Sequence, residues 1–91
     1  MIIKINESIA LDVDFLKDGN VIYNRCIIEN NTSIHKLKVQ ISTVIKNGKL
    51  IEVFVKDNFN INVVVSLFSE TDIRITKVTE VKYDNIILLN R

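Results

Sequence analysis

The chain predicts a single all-β domain over residues 1–91: a small antiparallel barrel or sandwich of roughly seven to eight short strands, meander-rich, with little or no helix. Three observations lead there. Sixteen Ile, eleven Val and five Thr stand against a single Ala. β-Branched side chains suit a pleated surface, whereas Ala is the best helix former. Apolar and polar residues alternate with a period of two through most of the chain. Turn-forming clusters recur about every 8–12 residues, and no segment leaves room for the crossover helix of a parallel pair. Ninety-one residues suffice for one core and are too few for two.

The clearest element is a hairpin from Ile34 to Lys56 with Asn47-Gly48 at its tip. Leu37, Val39, Ile41, Thr43 and Ile45 form one apolar row, and Ile51, Val53 and Val55 form the other. Asn-Gly supplies the positive φ angles of a tight turn. A two-residue loop would set Ile41 against Phe54 and put the two rows on opposite sides. A three-residue loop, Lys46-Asn47-Gly48 with Gly48 as a bulge, sets Ile41 against Val53 and Val39 against Val55. Since a one-residue slip flips a whole strand, burial selects the bulged turn. Phe54 then faces outward beside Lys38 and Gln40.

The other elements follow in order. Ile2 to Asn6 reads as a short first strand. In Ser8 to Leu16, Ile9, Leu11, Val13 and Phe15 alternate with Ala10, Asp12 and Asp14, favouring a strand over the helix that the following Lys17-Asp18-Gly19 also permits. A four-residue loop, Lys17 to Asn20, sets Asp12 opposite Arg25 in the next strand, Val21 to Glu29. A three-residue loop would leave the guanidinium on the apolar row, which is costly. The four-residue choice turns Ile22, Cys26 and Ile28 inward, with Asn24 as the polar member. Glu29 to Ser33 is a polar connection. A five-residue loop, Lys56 to Asn60, aligns Val55 with Ile61 and Val53 with Val63. Leu67 continues the inner row, and Ser69-Glu70-Thr71 makes a turn. Asp72 to Tyr83 carries Ile73 and Ile75 inward and needs a bulge near Lys77-Val78 to keep phase. Asp84-Asn85 is a turn, and Ile86 to Leu89 is a strand apolar on both sides.

Composition excludes several function classes. A net charge of +1 gives no strong field toward nucleic acid or an anionic membrane. No apolar run approaches the roughly 20 residues of a membrane helix, and Met1 to Asn6 lacks the apolar core of a signal peptide. The lone Cys26 cannot form an internal disulfide, which fits a cytoplasmic setting. Eleven Asn and nine Lys against three Arg, with abundant Ile, resemble the usage of an A+T-rich genome and hint at a low-G+C bacterium or its phage.

Chemistry-bearing constellations are few. Asp12, Asp14 and Asp18 offer oxygens, but their spacing matches no calcium loop, and a solvated face accounts for them. Cys26 and His35 stand in neighbouring strands, yet a nucleophile–base pair is disfavoured, because Cys26 lies on an apolar row where thiols are inert. No zinc-ligand set or Gly-rich phosphate loop occurs. The chain is therefore expected to be no enzyme and to take no cofactor, metal or small-molecule substrate. The strand pattern fits Sm-like barrels, oligonucleotide-binding barrels and phage connector or inhibitor proteins alike, and a fold of that kind licenses no function.

Surface pattern carries the functional expectation. Val44, Leu50, Phe54, Val64 and Phe68, with Ile87 and Leu89 of the last strand, fall on the face that the inner rows leave outside. So much outward apolar surface is unusual for a small monomer. It is either a second core face or an interface for a protein partner or a second copy, which would make the chain a homo-oligomer. The alternative is a nucleic-acid surface of Tyr23, Arg25, Lys36, Lys38 and Phe54, in which bases stack on aromatics beside cations.

Overall fold

The computed structural model describes residues 1–29 and 37–78. The expectations for His35 and Lys36, and for the segment from Thr79 onward including Ile87 and Leu89, concern residues outside the described ones. Among the described residues there is no helix, and hence none long and apolar enough to cross a membrane. The chain is all-β, in two antiparallel sheets. The first has the order β1-β2-β3, with β1 at Ile2–Lys4, β2 at Ile9–Phe15 and β3 at Val21–Ile28. The second has the order β4-β5-β6-β7, with β4 at Val39–Lys46, β5 at Lys49–Asp57, β6 at Asn62–Ser69 and β7 at Asp72–Lys77.

One buried cluster joins them. Ile3, Ile9, Leu11 and Val13 from the first sheet meet Leu50, Val53, Val55, Val63, Val65 and Leu67 from the second. These are the inner rows that alternation predicts, with two additions, Ile3 and Leu50. No polar or charged described residue is buried, so the core needs no internal polar network. The core centres on β2, β5 and β6. The flanking strands reach past it: Ile45 on β4 stays 64% exposed and Ile75 on β7 45% exposed, although both continue inner rows.

Both long hairpins depart from expectation near their turns; farther away the expected facing returns, but in β4–β5 the register is shifted by two residues, with Ile41 opposite Val55 and not Val53. At the β4–β5 tip, Lys46 pairs with Lys49, and both Asn47 (φ 54°) and Gly48 (φ 75°) are left-handed. That is a two-residue primed turn, not the expected three-residue loop. Left alone it would put the apolar rows on opposite faces. A bulge at Ile51 intervenes, so Ile45 faces Leu50 while Val44 faces Glu52 and Ile41 faces Val55. The extra residue restores the shared face. At the β2–β3 turn, the Leu16 amide donates to the Asn20 carbonyl (2.8 Å) and the Gly19 amide to the Leu16 carbonyl (3.0 Å). Gly19 has φ 91°. This is a three-residue loop closed by glycine in place of the expected four-residue one, and a bulge at Asn24 returns Asp12 opposite Arg25.

Between turn and bulge every side chain is inverted relative to expectation. Tyr23, paired with Val13, packs against the core, while Ile22 and Asn24 point outward. Leu50 enters the core. Beyond the bulges the expected facing holds: Cys26 packs against the cluster, and Arg25 Nε donates to Asp12 Oδ2 at 3.3 Å. The β5–β6 loop is also tighter than expected. Asp57 Oδ1 accepts the amides of Phe59 (3.0 Å), Asn60 (2.9 Å) and Ile61 (2.7 Å), and the Asp57 amide donates to the Ile61 carbonyl (3.0 Å). Val53 therefore pairs with Val65 and Val55 with Val63. The shift is two residues, so no side chain changes face. In β7, Ile73 and Ile75 continue the inner row as expected, standing opposite Leu67 and Val65.

Candidate functional site

The outer face of β4–β7 follows from the register. On β4 it carries Gln40, Ser42 and Val44, and on β5 Glu52, Phe54 and Lys56. On β6 it carries Asn62, Val64 and Ser66, and on β7 Arg74 and Thr76. Lys38 extends the β4 row, since its amide donates to Asn58 Oδ1 (2.9 Å) and its carbonyl accepts the Asn58 amide (3.2 Å). Phe54 lies between Ser42 on one side and Val64 on the other as a direct cross-strand partner of each.

Around Phe54 this face dips into an open groove of about 400 Å³, walled by Gln40, Ser42, Val44, Lys56, Asn62 and Val78. A single aromatic ring is half-buried in a frame of side-chain amide, hydroxyl and ammonium groups. Such a groove offers stacking and hydrogen bonding together. Along the β5 outer row Lys56 lines the groove on one side of Phe54, and Glu52 follows on the other. A second depression of about 460 Å³ lies at the seam between the sheets, bounded by Gly19, Lys49, Leu50, Glu52, Ser66 and Phe68.

The expected surface residues divide as follows. Val44, Phe54 and Val64 share the outer face, with Phe54 and Val64 adjacent. Phe68 is 63% exposed, but it sits at a β6 bulge with the Arg74 guanidinium 4.8 Å from its ring centre. That Arg is in turn paired with Asp72 at 3.2 Å. Leu50 is a core residue and cannot serve as a contact. Of the alternative set, Lys38 and Phe54 stand together. Tyr23 is turned inward by the three-residue loop and its bulge, and Arg25 lies on the other sheet, held by Asp12. Gln40, Ser42, Asn62 and Lys56 were not singled out from the sequence as a group. Their signal was present, as polar positions alternating with inner rows, but only the register shows that they surround Phe54.

Burial raises the Cys26 thiol above its ordinary pKa, so the thiolate is disfavoured. Burial also raises the Tyr23 phenol, with a smaller push from Cys26. Asp12 and Asp14 are drawn to Arg25 and to Asn24, whose Nδ2 donates to Asp14 Oδ2 at 3.0 Å. Asp18, in the turn, is held below the usual carboxylate range chiefly by the Asn20 amide. Among the described residues no group of three or more His, Cys, Asp or Glu side chains is arranged around a common point that could hold a metal ion. Comparison with protein-family models, with curated proteins and with solved structures finds no match to this chain.

Proposed function

We propose that the protein is a non-enzymatic β module that works by protein contact or self-assembly through the outer face of β4–β7. The carrying observation is Phe54, which lies beside Val64 on a face that also bears Val44 and opens into a groove large enough to seat a side chain. Aromatic anchors in such pockets supply much of the energy of protein interfaces. The architecture behind this face reads as a two-sheet sandwich and not a closed barrel. An extent of 17 Å in the thinnest direction fits two sheets stacked about 10 Å apart. A cytoplasmic and phage-borne setting remains the expectation from composition.

Sedimentation of the full chain over a range of concentrations tests self-assembly. Oligomers that dissociate on Phe54→Asp or Val64→Asp support it. A monomer at every concentration, the same for wild type and Phe54→Asp, removes it and leaves contact with another protein.

A second reading is a nucleic-acid surface, favoured by one observation. Residues 37–78 carry six cations against four carboxylates, whereas residues 1–29 carry three against five. The modest whole-chain charge conceals a basic second sheet and an acidic first one. Affinity for oligonucleotides that falls with added salt would support this reading.

A further inference from the structure

We infer that the groove around Phe54 is a site for one unstacked base of a single-stranded nucleic acid; the inference rests on the second reading above. Four features of the groove converge on that ligand. Its floor is the Phe54 ring, and every base has a π-face that can stack on it. Its walls present the amide of Gln40 and the hydroxyl of Ser42, groups that donate and accept toward a base edge. Its volume of about 400 Å³ lies in the range of small-ligand sites. Lys56 lines the groove and Lys38 extends the neighbouring β4 row beyond it, positions from which ammonium groups would meet the phosphates flanking a seated base. The excess of cations over carboxylates on this sheet supplies the matching charge.

The protein-contact reading draws on the same ring, so the two readings compete for one groove. Val44, Phe54 and Val78 are the apolar residues of the groove, with Val64 beside Phe54 on the face, while Leu50 belongs to the core and Phe68 lies under Arg74. The lining pairs these apolar groups with the Gln40 and Asn62 amides and the Ser42 hydroxyl, a mixture that matches a planar base with an apolar face and a polar edge. Arg25 and Tyr23 take no part, the one on the other sheet and the other packed against the core.

Fluorescence polarisation of the full chain with labelled twelve-residue oligothymidylate and oligouridylate tests the site, at about 20 and 200 mM salt. Saturable binding at the lower salt is expected. Phe54→Ala should weaken it about tenfold or more, and Lys38→Ala should lower the slope of affinity against salt by about one. Arg25→Ala should leave both unchanged. The chain has no Trp, so Phe54→Trp places a lone reporter at the floor of the groove, and its emission should quench as a base stacks. Competition by thymidine monophosphate, equal to the oligomer's, would show a free-nucleotide site and overturn the assignment to a strand. Absence of binding at low salt overturns both this inference and the nucleic-acid reading. Binding that ignores Phe54→Ala, with no quenching in Phe54→Trp, overturns the groove alone and leaves the wider reading standing. Circular dichroism of each variant establishes that the fold is retained.

Discussion

Asp57 organises a whole connection with one carboxylate, whose Oδ1 receives three consecutive amides of the β5–β6 loop. With no proline in the chain and glycine at two positions, loops depend on such side-chain acceptors. Asp57→Ala strands those amides and should cost about 1–2 kcal/mol in urea unfolding, with Asp57→Asn costing less because one oxygen acceptor remains. Equal losses for the two variants would mean that charge and not hydrogen bonding does the organising. Tyr23 and Cys26 permit a prediction in pH. Both are raised by burial, so the fold favours their protonated forms. That contribution is present below the ordinary thiol and phenol values, about 8.5 and 10, and is lost as pH rises through the higher folded values. The urea midpoint should therefore fall as pH rises above about 8.5, and that of the double variant Cys26→Ser, Tyr23→Phe should fall less. An identical decline in wild type and variant would assign the effect to other groups.

At the scale of elements, the two hairpins share one solution. Local chemistry picks the turn: Asn47-Gly48 takes a primed two-residue turn, and Lys17-Asp18-Gly19 takes a three-residue turn closed by glycine. Core burial picks the parity of the distant register. The two demands differ by one residue, and a bulge at Ile51 or Asn24 reconciles them. The apolar rows were legible from sequence because burial sets them, and so was the Asp12–Arg25 pairing. Where the extra residue would sit was not legible, because a bulge leaves no signature in the alternation when both flanking residues tolerate either face. Leu50, Tyr23, Ile22 and Asn24 all fall in the stretches between turn and bulge. Deletion of Ile51 removes the extra residue and leaves Leu50, Val53 and Val55 on the face they now occupy. It should preserve the fold at a cost of about 1–2 kcal/mol. Deletion of Phe54 reverses one part of β5 against the other and should abolish the cooperative thermal transition. Cooperative melting of the Phe54 deletion would refute this account of register.

At the scale of the molecule, one sheet face is core and its reverse is surface, and neighbouring residues test that division. Val65 is fully buried among the inner rows, whereas Val64 stands beside Phe54 on the outer face. Val65→Ala should cost about 2 kcal/mol or more, and Val64→Ala under about 1 kcal/mol. Comparable losses would mean that the outer face is a second core. Opposite charge on the two sheets adds weak attraction at their seam, where Lys49 acts on Asp18. It also gives the chain a basic side that its net charge hides.

The sequence by itself determined the all-β class, the inner rows of β2, β5 and β6, and the chain positions of most turns. These follow from side-chain volume and period, which act within a few residues. Only the tertiary structure decided which turn each hairpin uses, that Leu50 and Tyr23 enter the core, and that Gln40, Ser42 and Asn62 gather around Phe54. Those outcomes depend on contacts between strands far apart in sequence. A one-residue offset between a local turn and a distant core reverses every side chain lying between them.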